Sequence, residues 1–315
     1  MRATALIITY NHRKFIAAAI DSALAQQTRF DYEILVSEDC STDGTREIVL
    51  DYARRHPDRI RLVLSDRNIR SNAVVARGIR AARGDYVALL DGDDLWTSPD
   101  KLQKQVDFLD AHPDCAMCFH NAEVIDEDGS RAPRLWTPRG QKPFSTIEDI
   151  WRGNFIATAS TVIRRTALPE IPGWYDSFFP ITDWPLYILA AEHGKIGYID
   201  ETMSIYRYHA GGLYSSRTEW QKLQTTGSFY RRMDAHTGHR YHRTVRAAYS
   251  TYFFEWAEEY LKRGDSWRAV RCLFRSLAGG GVGESVSWRA FARLTVRLAL
   301  ASIRGKARNS RPAAT

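Results

Sequence analysis

Apolar and polar positions fall into two alternating patterns along the first 90 residues. Ala3–Thr9, Tyr32–Ser37, Ile60–Leu64 and Tyr86–Leu90 are short, nearly continuous apolar runs of strand length. Phe15–Gln26, Thr45–His56 and Val74–Ala82 carry instead the three-to-four-residue spacing of amphipathic helices, the second preceded by Ser41 and Asp43 as capping groups. Strands that are apolar along their whole length need cover on both faces, so the pattern predicts a doubly wound, mostly parallel α/β sheet with helices on either side. Right-handed crossovers then gather the loops after Thr9, Ser37 and Leu90 at one edge, where open sheets of this class take ligands.

Past Asp91–Asp94 the pattern loosens. A helix is expected over Pro99–His112, a strand over Cys115–His120, irregular chain over Asp128–Pro143, a helix near Thr146–Gly153, and mixed segments as far as Tyr208. Beyond Thr218 nearly everything reads helical until a polar end at Lys306–Thr315, with a turn at Gly279–Gly283. The expected division is an α/β catalytic domain over 1–217 and a helical, basic extension over 218–315.

Composition narrows the classes. With 44% apolar and 26% charged residues among 315, and 20 Gly and 11 Pro, the chain is long enough to bury its own core and is neither collagen-like nor disordered. Four cysteines do not make a disulfide scaffold, no export signal precedes them, and Cys115-x-x-Cys118 lies in an apolar segment without a second pair, so core packing and a cytoplasmic setting are expected. No run approaches the ~20 apolar residues of a membrane span. The net charge of +7 is concentrated at the end: from Leu261 onward there are twelve Lys/Arg and two acids, which leaves the body slightly acidic and speaks against a nucleic-acid partner.

Candidate chemistry clusters at the strand ends. Asp91-Gly92-Asp93-Asp94 presents three carboxylates where an apolar strand stops; their repulsion is offset by a divalent cation, and hard oxygen donors suit Mg²⁺ or Mn²⁺ bound with a substrate phosphate. A solvated Asp-Gly turn remains the plain alternative. Ser37-Glu38-Asp39-Cys40-Ser41-Thr42-Asp43-Gly44-Thr45 also follows a strand; helix capping explains Ser41 and Asp43 but not Glu38-Asp39, and a carboxylate at Asp39 suits the imide N–H of a pyrimidine base. Thr9-Tyr10-Asn11-His12 adds an aromatic face with hydroxyl and amide groups at the same edge.

The order and spacing of Ile7-Ile8-Thr9-Tyr10-Asn11, Glu38–Thr45, Asn68 with Ala76-Arg77-Gly78, and Gly84-Asp85-Tyr86 leading to Asp91–Asp94 resemble the N-terminal half of family-two inverting glycosyltransferases of the GT-A fold. The resemblance implies a nucleoside-diphosphate-sugar donor and a divalent metal. By position, Thr9, Tyr10, Asn11, Asp39, Ser41, Arg77, Asp91 and Gly92 would form the donor-nucleotide site, with Thr9 and Asp39 on the base, Arg77 nearby, and Asp91 facing the ribose or a water of the metal. Asp93 would hold the metal that bridges the diphosphate. Glu38-Asp39 stands where many relatives have two aspartates, which leaves the nucleotide open. The catalytic base is expected at Asp183 in Thr182-Asp183-Trp184-Pro185, where Thr182 departs from the common Glu and a helix cap is the competing role. In Tyr206-Arg207-Tyr208-His209, the resemblance offers His209 as a metal ligand or diphosphate donor and Arg207 as the diphosphate counter-charge. Trp96 and Trp184 are acceptor-side candidates, as are His120 and Asn121, all of them equally compatible with packing.

The resulting expectation is metal-dependent, inverting transfer from a nucleotide sugar, a UDP-sugar first, to a hydroxyl on a glycan or lipid-linked acceptor in polysaccharide biosynthesis. A nucleotide-sugar-binding or assembly subunit without turnover is the non-enzymatic alternative. A haloacid-dehalogenase-like phosphohydrolase is remote, because its nucleophile ordinarily follows the first strand, and a sugar-nucleotide pyrophosphorylase lacks its Gly-rich loop here. In the tail, a helix over Val286–Arg304 would align Arg289, Arg293, Arg297 and Arg304 opposite Trp288, Phe291, Leu294 and Leu298, with Val296 and Leu300 spoiling the separation. Such a helix suits peripheral contact with an anionic inner membrane face, or packing on the catalytic domain or in a homo-oligomer.

Overall fold

The computed structural model describes residues 1–137 and 139–309, with side chains described to residue 300. The first half alternates as the apolar pattern requires: β1 (Ala3–Thr9), α1 (Ile16–Leu24), β2 (Tyr32–Glu38), α2 (Thr45–Arg55), β3 (Ile60–Leu64), α3 (Ala73–Ala81) and β4 (Tyr86–Asp91). β5 (Leu95–Trp96), α4 (Lys101–Ala111), β6 (Cys115–Asp126), β7 (Arg134–Leu135), β8 (Phe144–Ser145), α5 (Ile147–Arg152), β9 (Val162–Arg164), α6 (Trp184–Ala191) and β10 (Lys195–Tyr208) follow. The helices α7 (Glu219–His236), α8 (His242–Lys262), α9 (Ser266–Ala278) and α10 (Trp288–Asn309) complete the described chain.

The strands form one sheet in the order β3-β2-β1-β4-β9-β6-β10-β5, with β7 on β6 and β8 on β10. The long ladders β1–β2, β1–β4, β2–β3 and β6–β10 are parallel, and the two-to-three-residue pairings are antiparallel. β1, β2 and β4 are buried along almost their whole length, as continuous apolar runs demand. α1 covers the sheet with Ile16, Ala19, Ile20 and Ala23, one stripe at helical spacing.

Two elements exceed their expected form for identifiable reasons. β6 runs on from His120 to Asp126, because Asn121, polar but buried, satisfies the backbone around it: its Oδ1 accepts from the N–H groups of Ala122 and Thr137. β10 is fourteen residues long, but its register against β6 shifts between Ile199 and Thr202 and again before Ser204, so the bulge hides the two-residue period. α2 is not capped by Ser41. Gly44 at φ 99° occupies the N-cap, while Asp43 Oδ1 accepts from Thr45 N at 3.0 Å and from Thr45 Oγ1 at 2.6 Å. Cys115 and Cys118 are free, buried thiols within the core cluster, and burial pushes their pKa values up to about 11 and 12.

The chain divides into two compact units, 1–150 with 154–222, and 151–153 with 223–315. Within the second unit, α10 buries Leu294 and Leu298 but leaves Trp288, Val296 and Leu300 exposed, so Trp288 departs from the side assigned to it; the Arg304 side chain and residues 310–315 lie outside the described residues. Among the described residues, no helix is long and apolar enough to cross a membrane.

Candidate functional site

The connections leaving β1 lead through β2 to β3 on one side, while β4 lies on the other side of β1. The direction of winding therefore reverses between β1 and β4, and a crevice opens beyond their carboxyl ends. Register places Thr9 opposite Glu38 and Ile8 opposite Asp91, so the tips of β2, β1 and β4 stand side by side at the ~4.8 Å spacing of neighbouring strands.

On the β2 side, Asp39 is almost completely buried, and its N–H is bonded to Thr9 O at 3.0 Å. Its Oδ1 accepts from Ser65 Oγ at 2.9 Å and from Ile69 N at 3.0 Å, while Oδ2 has only the longer 3.2 Å share of the Ile69 N–H, which leaves acceptor capacity there. Arg77 Nη2 donates to Ser65 Oγ at 2.7 Å, joining Arg77 to Asp39 through one hydroxyl. Asn11, at φ 56°, aims its amide at the neighbouring loop: Thr42 N donates to Asn11 Oδ1 at 2.8 Å, and Asn11 N donates to Ser41 Oγ at 2.9 Å. Ser41 and Asn11 thus lock two loops together, with Tyr10 half-buried on the same turn. Glu38 is spent structurally on Arg46 Nε at 2.6 Å and Ser41 N at 2.5 Å.

Beyond β4, the acidic turn is compressed against β1. A Cβ on Gly92 would stand 2.7 Å from Thr9 Oγ1 and 2.9 Å from His12 Nδ1, so only glycine lets the turn approach this closely. Asp93 Oδ2 lies 3.0 Å from His209 Nε2 and 3.6 Å from His12 Nε2; burial alone would raise its pKa, but the two imidazoles overcome this and hold it low. Asp91 goes the other way. Burial, with Asp93 and then Asp183 as like charges, pushes it up to about 8, against a hydrogen bond from Thr158. Asp94 Oδ1 accepts from Arg207 N at 2.8 Å, while its Oδ2 is buried without a hydrogen-bond partner. Arg207 Nη1 donates to Asp93 O at 2.7 Å, and both Arg207 and His209 pack on the Phe15 ring, at 5.3 and 4.8 Å from its centre.

Asp183 is the N-cap of α6 and is close enough to Asp91 for the two charges to repel. Its Oδ2 accepts from Asn154 Nδ2 at 2.8 Å and its Oδ1 from Trp184 N at 2.7 Å; burial raises its pKa and these bonds only moderate the rise. The segment before it is anchored: Asn72 Nδ2 donates to Tyr175 O at 3.2 Å and to Ile181 O at 2.8 Å, and Tyr175 Oη donates to Thr182 O at 2.6 Å. A cap geometry is therefore real, but it is held inside an acidic cluster.

The chemistry of this turn is compatible with a divalent cation held by its carboxylates. Three of them repel one another in a buried turn, one oxygen of Asp94 lacks any donor, and the imidazoles of His12 and His209 converge on Asp93.

Other expected residues sit elsewhere. Trp96 is buried in the core; its Nε1 donates to Ala159 O at 2.9 Å and Lys101 Nζ lies 3.9 Å from its ring centre, so the indole is occupied by packing and leaves no face for an acceptor. Trp184 is similarly committed, donating from Nε1 to Ile150 O at 2.8 Å. His120 is fully buried, and its pKa is pushed down to about 3 by that burial and by Lys101. Four residues went unassigned in the sequence: His12 beside Asp93, Asn154 on Asp183, Asp94 under Arg207, and Tyr206. The Tyr206 phenol is held well above its ordinary pKa by burial and by Asp94, Asp93, Asp91 and Asp183 together. His12 and Asp94 belong to runs already singled out; Asn154 gives no local signal, and Tyr206 is set facing the carboxylates by the irregular register of β10.

The profile described as "Glycosyl transferase family 2" matches residues 4–171. An uncharacterized protein of Mycobacterium tuberculosis is 39% identical over 221 residues, 70% of this chain and 62% of its own, so the chain spans about three fifths of that relative. The putative teichuronic acid biosynthesis glycosyltransferase TuaG of Bacillus subtilis is 29% identical over 230 residues, covering 72% of this chain and 86% of its own. Among solved structures, TarS of S. aureus in complex with UDP-GlcNAc superposes over 100% of this chain and 93% of its own with TM-score 0.62 at 16% identity. The mannosyltransferase PcManGT of Pyrobaculum calidifontis, in complex with GDP-Man and Mn²⁺, does so over 96% and 86% with TM-score 0.54 at 18% identity. At such identities the structures show a shared fold, whereas the profile covers more than half the chain: it belongs to glycosyl transferase family 2.

Proposed function

We propose that this chain transfers a sugar, with inversion, from a nucleoside-diphosphate-sugar donor to a hydroxyl of a glycan or lipid-linked acceptor in surface-polysaccharide assembly. The observation that carries the reading is the meeting of Asp91, Asp93 and Asp183 in one half-buried cluster at the reversal point of the sheet, with Asp39 two strands from β4 at the tip of β2 and Arg77, on α3, joined to it through Ser65. A base would be read at Asp39 Oδ2 and Thr9, with Arg77 steadying the Asp39 carboxylate through Ser65. A UDP-sugar is the first choice because Asp39 offers an acceptor to an imide N–H; relatives in fold bind UDP-GlcNAc and GDP-Man.

Each Asp183 oxygen accepts one hydrogen bond and keeps a further lone pair for the acceptor hydroxyl, whose proton it takes as the oxygen attacks the anomeric carbon. Burial raises the basicity of this carboxylate, which favours that transfer. Arg207, braced on Asp93 O and Phe15, and His209 stand ready to meet the phosphate oxygens on the opposite side. Asp93, with Asp91 and His209 nearby, would hold a Mg²⁺ or Mn²⁺ ion, which when bound would supply Lewis-acid neutralisation of the leaving diphosphate. One displacement inverts the configuration.

The family assignment removes the phosphohydrolase reading. The test is a panel of nucleotide sugars scored by thermal stabilisation with and without Mn²⁺: one donor should raise the midpoint, and more in the presence of Mn²⁺ than in its absence. A panel in which no donor stabilises the protein, with or without metal, would end the reading.

The same proposal sets the protein at a cytoplasmic membrane face. Arg289, Arg293 and Arg297 are exposed together with Trp288, Val296 and Leu300 on α10, a mixture of cationic and apolar groups suited to an anionic interface. The full chain should co-sediment with vesicles containing phosphatidylglycerol and not with pure phosphatidylcholine; equal recovery with both would refute the contact.

A further inference from the structure

Outside the acidic cluster of the first unit, three metal-ligating side chains converge in the second. Asp234 lies in the last turn of α7, His239 in the connecting turn, and His242 opens α8. Both imidazole Nδ1 atoms address one oxygen, Asp234 Oδ2, at 2.8 Å from His239 and 2.7 Å from His242. The two rings stand edge to face with centroids 5.5 Å apart, and the three ligand atoms all lie within 4.8 Å of one another. A second observation is independent of this convergence. Asp234 is only 6% exposed, and its other carboxylate oxygen, Oδ1, is buried with no hydrogen-bond partner. A buried carboxylate ordinarily has all its acceptors satisfied, because an unmet one costs desolvation without return. Hydrogen bonding between the histidines and Oδ2 does not supply what Oδ1 lacks.

We propose that Asp234, His239 and His242 form a site for a divalent transition-metal ion of the zinc class. Two imidazole nitrogens and one carboxylate oxygen are the donor set such ions prefer, and Mg²⁺ or Ca²⁺ would call for more oxygen. Net charge does not draw the ion in, since Arg240 and Arg243 adjoin the site in sequence, so ligand chemistry must set the affinity. Bonds of about 2.0–2.1 Å at tetrahedral angles put ligand atoms about 3.3 Å apart, roughly half an ångström wider than the 2.8 and 2.7 Å that now separate each Nδ1 from Asp234 Oδ2. The imidazoles can open by that much, because their side chains are 63% and 51% exposed. Binding through Nδ1 leaves the ring proton on Nε2, toward solvent, and the exposed side of the site admits water as a fourth ligand. Since the three residues bracket the turn between α7 and α8, the bound ion clamps that helical hairpin.

The inference is independent of the proposed transferase activity, and its test uses binding and stability alone. Full-length Asp93→Ala protein, which lacks the carboxylate proposed to hold a cation in the first unit, is titrated in excess Mg²⁺ with Co²⁺ and then Zn²⁺. Visible absorption of low-symmetry Co²⁺ should appear with unit stoichiometry, vanish on addition of Zn²⁺, and be accompanied by a Zn²⁺-specific rise in the unfolding midpoint. His239→Ala and His242→Ala, both at exposed positions and checked by circular dichroism, should each weaken Zn²⁺ binding at least about tenfold, the cost that even outer-shell partners carry. Asp234→Asn separates a built site from a pair of surface histidines: the built site loses affinity, whereas an unaltered isotherm in this variant, or in the two histidine variants, overturns the proposal.

Discussion

Asp183→Asn should leave the donor bound and stop the transfer. The amide keeps the shape of the carboxylate and an oxygen for the Asn154 N–H, but it cannot take a proton from the acceptor hydroxyl. A general base contributes about 10²–10⁴ in rate, so kcat should fall by that factor while KM for the donor stays within a few-fold. Relief of repulsion among the half-buried carboxylates opposes the loss of the hydrogen bond that Trp184 N gives to Asp183, so the unfolding midpoint should change little, which distinguishes lost chemistry from lost structure. In the unsubstituted protein kcat should decline as pH falls through the pKa of Asp183, which burial places above the ordinary carboxylate range. Stability should move in the opposite sense. A carboxyl raised in the folded state binds more protons there than in the unfolded chain, so its contribution is fully present below the unfolded pKa and is lost as pH rises through the folded one. Transfer undiminished by Asp183→Asn would remove Asp183 as the base; a chain with no transfer to lose would be the non-catalytic binding subunit.

Much of this site was legible because its parts are local. Thr9, Asp39 and Asp91–Asp94 each end an apolar strand, and the doubly wound order is enough to bring those ends together without any knowledge of side-chain contacts. What could not be read depends on pairs distant in sequence. Asn154 meets Asp183 across 29 residues with no local signal, and His209 meets Asp93 across 116, a pairing that only the family resemblance suggested. For Trp96, held equally compatible with the acceptor side and with packing, the structure favours packing. The residue follows the acidic turn closely enough to suggest the acceptor side, but the two-residue strand it occupies turns the indole inward onto Lys101 and Ala159. Composition showed a basic tail, yet only burial distinguishes the inward Leu294 and Leu298 from the outward Trp288 and Val296, because α10 has no clean apolar stripe.

Asp93→Ala should erase the effect of metal on the donor while leaving the metal-free affinity in place. Asp93 is the carboxylate of the turn that stays ionised, because His12 and His209 hold it low, whereas burial and like charge favour protonation of Asp91 and Asp94. It is therefore the group best prepared to meet a cation, and its loss leaves two imidazoles with no carboxylate between them. Removing a direct ligand should cost at least the 10–100-fold in metal affinity that outer partners carry. In isothermal titration with a nucleoside diphosphate, the unsubstituted protein should bind more tightly in Mn²⁺ than in chelator, and the variant should bind equally in both, matching the chelated parent. The backbone of the turn should persist, since Arg207 bonds the Asp93 carbonyl and not its side chain, and Gly92 N donates to Ile8 O at 2.8 Å. A variant that retains the Mn²⁺ increment would shift the metal to Asp91 or Asp94. An increment absent from the parent as well would mean that His209 and Arg207 carry the diphosphate charge by themselves.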